Sequence, residues 1–87
     1  MNIKDGFLLR EVAGNFVVMP LKGELHFGGL MTLNETGAFL WRLLEKGASK
    51  ESLLAALQEE YEVDTQTATQ DLDKFLKKLG DAGVLHE

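Results

Sequence analysis

The sequence has no cysteine. Disulfides, thiolate zinc sites and cysteine nucleophiles are excluded together. Histidine is scarce: the two present, His26 and His86, lie far apart and not at metal-ligand spacing. No nucleophile stands beside a base, and no pair of carboxylates falls in an evident pocket. Gly28-Gly29 reads as a turn, because no helix follows it as a phosphate-cradling loop requires. An enzyme in its own right therefore finds little support. No apolar run reaches the roughly 18 residues that a bilayer-spanning helix needs. The opening Met1-Asn2-Ile3-Lys4-Asp5 lacks the apolar region of a signal peptide. A cytoplasmic protein is expected, and the missing cysteines are compatible with that.

Cations are also in short supply, with 9 Lys and Arg against 14 Asp and Glu, for a net charge of −5. Affinity for nucleic acid comes largely from Lys and Arg displacing counterions, so this balance disfavours a phosphate backbone as partner. What the chain does have is enough apolar content, 45% of 87 residues, for one domain with a packed core. One domain over residues 1–87 is expected, and the start at Met1 with this length favours a free-standing chain.

The apolar spacing changes midway. Phe7-Leu8-Leu9-Arg10-Glu11-Val12 and Phe16-Val17-Val18-Met19-Pro20-Leu21 are short runs suited to a pleated surface. Ala13-Gly14-Asn15 between them suits a tight hairpin. Pro20 cannot donate to a ladder and marks a strand end or an edge. Lys22 to Gly29 reads as a glycine-rich loop, with Leu25 and Phe27 folding back as a lid or joining the third strand. Leu30-Met31-Thr32-Leu33 is that third strand, with Met31 and Leu33 on one face and Leu30 and Thr32 on the other.

From Asn34 onward the period is helical. Asn34, Ser49 and Asp64 are N-cap residues for three successive helices. Phe39, Leu40, Leu43 and Leu44 form the apolar stripe of the first, with Trp41 on its margin and Lys46-Gly47 closing it. Leu53, Leu54, Leu57 and Tyr61 repeat the pattern in the second. Ala68, Leu72, Phe75, Leu76 and Leu79 point inward from the third, which ends near Gly80 or Gly83, and Val84-Leu85 covers the open end of the core. The expected fold is α+β: a three-stranded antiparallel sheet followed by a three-helix bundle (β-β-β-α-α-α), a winged helix-turn-helix arrangement. DNA readers and protein-binding modules share that class, so fold alone does not settle function.

Three segments in order carry a family resemblance. They are Gly6-Phe7-Leu8-Leu9-Arg10-Glu11-Val12-Ala13-Gly14, the corner Leu33-Asn34-Glu35-Thr36-Gly37-Ala38-Phe39-Leu40-Trp41, and Asp71-Leu72-Asp73-Lys74-Phe75-Leu76-Lys77-Lys78-Leu79 with Gly83-Val84-Leu85. Together, from about Gly6 to Leu85, they resemble the PqqD-like family, the peptide-recognition element of pathways that modify ribosomally made peptides. The Leu-Asn-Glu-Thr-Gly corner is the most specific piece. The resemblance implies a non-catalytic, cofactor-free domain. Such a domain binds the leader of a precursor peptide and hands it to a partner, often a radical S-adenosylmethionine maturase, sometimes a protease or cyclase. It further implies that the leader adds a strand beside the third strand, in the groove next to the third helix. Some relatives dimerise, so both monomer and homodimer stay open.

On that reading the edge is Leu30, Met31, Thr32 and Leu33, whose unpaired N–H and C=O groups would template a guest. At 100° per residue, Thr67, Asp71, Lys74, Phe75 and Lys78 share one flank of the third helix, while Thr69, Asp73 and Lys77 share the other. The first is favoured because it joins an aromatic to two lysines that suit an acidic leader. Plainer readings stand beside these. Phe75 also fits the core, the lysines also fit a solvated helix end that complements the macrodipole, and Trp41 fits either a core edge or an interface. The run Glu59-Glu60-Tyr61-Glu62 fits a solvated face. The competing function is a DNA-binding regulator, but Asp71 and Asp73 in the third helix and Glu51, Glu59 and Glu60 in the second oppose a helix in the major groove.

Overall fold

Two backbone positions in the left-handed region make the first turn. Ala13 has φ 52° and Gly14 φ 83°, the sign pattern of the tight two-residue hairpin loop whose twist matches the strands it joins. The loop is thus Ala13-Gly14, and Asn15 already belongs to the second strand of the hairpin. The computed structural model describes residues 1–21 and 31–86. The glycine-rich segment from Lys22, with its expected lid, and Leu30 lie outside the described residues.

The strands of the hairpin are β2 (Phe7–Val12) and β3 (Asn15–Pro20), after a short β1 (Asn2–Ile3). They pair antiparallel from Phe7↔Pro20 to Val12↔Asn15. The third strand of the sheet, β4 (Met31–Leu33), pairs with β3 through Phe16↔Leu33, Val17↔Thr32 and Val18↔Met31. Among the described residues, the order β2-β3-β4 leaves β4 at one border. Phe7, Leu9, Phe16, Val18, Met31 and Leu33 face the core, as the period-2 spacing requires.

Helices α1 (Glu35–Glu45), α2 (Lys50–Tyr61) and α3 (Thr65–Ala82) come next. Each begins where a short polar side chain captures an orphan N–H. Asn34 Oδ1 accepts from Gly37 N at 2.7 Å, Ser49 Oγ from Ser52 N at 3.1 Å, and Asp64 Oδ1 from Thr67 N at 2.7 Å. Ser52 Oγ answers by accepting from Ser49 N at 3.0 Å, which closes a capping box built from two serines. Helix α3 stops at Gly83, a left-handed C-cap with φ 77°. The architecture is α+β, a three-stranded antiparallel sheet followed by three helices in a winged helix-turn-helix arrangement.

The core joins Val18 and Leu33 of the sheet to Leu40, Trp41, Leu44, Leu53, Leu57, Leu72 and Leu79 of the helices. Truncating a buried leucine of this kind costs about 2–5 kcal/mol. Trp41 is fully buried at 0% exposure, which corrects its expected place at the core margin and removes it as an interface residue. The buried positions of α1 are Gly37, Ala38, Leu40, Trp41 and Leu44, so the stripe is rotated toward Trp41, while Phe39 and Leu43 are half-buried. Phe39 packs edge-on to Tyr61, with ring centroids 5.6 Å apart, and Arg42 lies over the Phe16 ring at 5.5 Å. These contacts tie α1 to α2 and to the hairpin.

A second, two-stranded sheet closes the molecule. β1 pairs antiparallel with β5 (Leu85–His86), and Lys4 N donates to Val84 O at 2.9 Å. Ile3 and Val84 are both buried there. Val84-Leu85 therefore covers the core as expected, but with a partner strand that the apolar spacing does not reveal.

Candidate peptide-docking trough

The hydrogen-bond phase of the sheet decides which way β4 points its backbone. Leu21 N donates to Gly6 O at 2.8 Å, so Gly6 and Leu21 form a bonded pair just beyond Phe7↔Pro20. In an antiparallel ladder bonded and non-bonded pairs alternate. Along the continuous register of β2 and β3 the bonded pairs are then Leu8↔Met19, Arg10↔Val17 and Val12↔Asn15. Val17 thus spends its N–H and C=O on β2. Its pair with Thr32 on the other side is non-bonded, and Thr32 directs its N–H and C=O away from β3. The same phase turns the missing N–H of Pro20 away from β2, so the β2–β3 ladder loses no bond to it.

Beyond that border lies α3. Lys78 Nζ donates to Thr32 O at 3.0 Å, across the space between strand and helix. Two hollows flank this contact. One, of about 340 Å³, is lined by Leu33, Asn34, Thr36, Gly37 and Leu40 on one side and by Asp71, Lys74, Phe75 and Lys78 on the other. The second, of about 520 Å³ and more open, is lined by Met31, Lys74, Lys77, Lys78, Asp81 and Ala82. Lys74 and Lys78 line both, so the hollows are two parts of one trough that runs along the β4 border.

The structure gathers most of the residues singled out from sequence. Met31, Leu33, Asp71, Lys74, Phe75 and Lys78 line the trough, and Thr32 supplies its outward carbonyl. Leu30 lies outside the described residues. Thr67 is exposed in the first turn of α3, where its N–H is held by Asp64, and lines neither hollow. On the other flank Asp73 turns toward α2 and pairs with Lys50 at 2.6 Å, leaving Lys77 as the member of that flank on the trough. Phe75 is half-buried, with its ring edge 3.3 Å from where a Cβ on Gly37 would stand. It therefore serves core and trough wall at once.

The start of α1 was missing from the sequence-based lining. Asn34, Thr36 and Gly37 form the floor at one end. The signal was present in the Leu-Asn-Glu-Thr-Gly corner. Asn34 caps the helix, and Gly37 lets Phe75 close on it.

Lysines dominate the charged rim: Lys74, Lys77 and Lys78 against Asp71 and Asp81, with Lys77 and Asp81 3.9 Å apart. Lys74 has no ion-pair partner among the described residues. The described residues hold no group of three or more His, Asp or Glu side chains arranged for a metal, and no described helix is long and apolar enough to cross a membrane.

Among the described residues, the structure is thus a winged helix domain whose three-stranded sheet ends in β4, beside its last helix. The family described as Coenzyme PQQ synthesis protein D (PqqD) matches residues 15–85, and the chain belongs to it. Among solved structures, it is similar to TbiB1 in complex with the TbiA(beta) leader peptide, with 30% identity and a TM-score of 0.79 over 99% of this chain and 95% of that one. It also shares its fold with a lasso peptide synthetase B1 complexed with the leader peptide, at 21% identity and a TM-score of 0.77 over 99% and 96% of the two chains. No curated protein matches the chain significantly.

Proposed function

We propose that this protein is a non-catalytic recognition module that captures the leader segment of a ribosomally made precursor peptide and presents it to a modifying enzyme. The leader docks as an added strand on β4, with alternate side chains dropping into the trough against α3. The observation that carries this reading is the outward-facing backbone of Thr32 beside a trough lined by Leu33, Phe75 and three lysines. Main-chain bonds to such a border fix register, while the pockets beside it read sequence. Family membership and the similarity to leader-peptide complexes support the same occupant. The partner enzyme on this reading is a separate maturase, such as a radical S-adenosylmethionine protein, which supplies the chemistry and its cofactors.

Amide chemical shifts recorded while a cognate leader is titrated into the labelled protein test the placement. Shifts concentrated on Met31 to Leu33 and on α3 from Asp71 to Lys78 are expected. Shifts confined to β2, or to the exposed face of α2, would overturn it.

A further inference from the structure

The contact between Lys78 and Thr32 presents a difficulty for strand addition. A guest strand lies about 4.8 Å from its neighbour and bonds N–H to C=O at about 2.9 Å. The outward Thr32 carbonyl is the acceptor such a strand needs, and Lys78 Nζ already stands 3.0 Å from it. The lysine stem also crosses between the two hollows, lining both. An extended peptide running the length of the trough cannot pass without moving it.

We propose that Lys78 is a displaceable latch on the open border, and that once displaced it selects an extended peptide carrying a carboxylate beside Thr32. This rests on the docking reading above and adds to it a mechanism of discrimination. A lysine at a sheet border is a recognised guard against pairing with the wrong chain. Here the bond is exposed to solvent, and the four-carbon stem is flexible, so opening the latch weakens binding by only a few-fold. Selection comes once the latch is open. The freed ammonium has lost its acceptor, and Lys74 and Lys77 are close by on the same helix. Asp81 is the carboxylate one turn on, but it already faces Lys77, and Asp71 lies two turns back. A carboxylate from the guest restores the lost partner, whereas an amide or apolar group there leaves three cations to share the trough with two acids. The latch thus penalises every strand and repays those of one charge.

The probe is a library of displayed random dodecapeptides, selected in parallel against the 87-residue protein and its Lys78→Met variant. Methionine keeps the length and helix preference of the stem and removes the ammonium, and thermal unfolding confirms that the variant folds. Wild type should enrich peptides with alternating apolar positions and an Asp or Glu at one fixed place. The variant should keep the apolar positions and lose the acid. Replacing that acid by its amide in a selected peptide should weaken wild-type binding about five- to ten-fold and leave the variant within about two-fold. The variant should also bind the amide peptide about two- to five-fold tighter than wild type, since no latch opposes entry. Equal acid enrichment by both proteins, or equal losses on amide replacement, overturns the role of Lys78 while leaving capture intact. Enrichment of no extended peptide by either protein overturns capture and the latch together.

Discussion

Gly37 acts through the space it leaves empty. A Cβ there would stand 3.2 Å from Asn34 Oδ1 and 3.3 Å from both Leu33 Cβ and Phe75 Cε1. These three neighbours are the cap of α1, the last residue of β4 and the aromatic wall of the trough. Two of them resist movement, since Asn34 is committed to its hydrogen bond with Gly37 N and Leu33 Cβ is fixed to the strand. The half-buried Phe75 ring is the one that yields, outward into the trough. In Gly37→Ala the helix preference gained, up to about 1 kcal/mol, is then offset by crowding. The expected outcome is a change in unfolding free energy below about 1 kcal/mol, together with shifted Phe75 ring resonances and weaker leader binding. Stability lost in full with the Phe75 signals unmoved would show that the ring is not the yielding neighbour. The Leu-Asn-Glu-Thr-Gly corner is thus a physical unit: one residue caps the helix, another gives room, and both serve the wall behind them.

At the level of elements, the three helices were legible because each announces itself twice, by a capping residue and by apolar spacing. Asn34, Ser49 and Asp64 all cap where the sequence placed them. The face of α1 was harder to read. Phe39, Leu40, Leu43 and Leu44 and the alternative set Gly37, Leu40, Trp41 and Leu44 both satisfy helical spacing. Packing against a sheet on one side and α2 on the other selects the second. β1 and β5 escaped notice because two-residue strands carry no period; what holds them is register with each other and the burial of Ile3 and Val84. The cap of α3 carries a pH signature. The hydrogen bonds that Asp64 accepts from Thr67 hold its carboxyl below the usual 3.8. A carboxylate with a lowered folded value contributes its stability in full above the ordinary value and loses it as pH falls through the lowered one. Asp64→Asn keeps a capping oxygen and removes the charge. Urea midpoints of wild type and variant should therefore converge as pH drops from neutral to below 3.8, with wild type the more stable at the upper end. A separation independent of pH would show that the charge contributes nothing to the cap.

For the whole molecule, the trough was legible in part. Helical stepping put Asp71, Lys74, Phe75 and Lys78 on one flank, and the structure sets that flank opposite β4. Stepping could not show that Asp73 is drawn to Lys50 of α2, nor that Thr67 lies too near the helix start to reach the trough, because both depend on how α3 sits on its neighbours. The same tertiary placement bears on the rival reading. A winged helix that reads DNA needs a basic face, and the lysines here lie along a trough rimmed by Asp71 and Asp81. The exposed face of α2 carries Glu51, Glu59 and Glu60, and the chain as a whole has a net charge of −5. Approach to a phosphate backbone would bring these acids up against it with few counterions released in return. A mixed-sequence duplex at low salt should therefore migrate unretarded at protein concentrations near 10⁻⁶ M, about where basic DNA readers begin to bind non-specifically. Retardation that vanishes as salt is raised, and that Lys74→Glu abolishes, would instead place the lysines of α3 on phosphate and turn the trough from a peptide groove into the edge of a nucleic-acid surface.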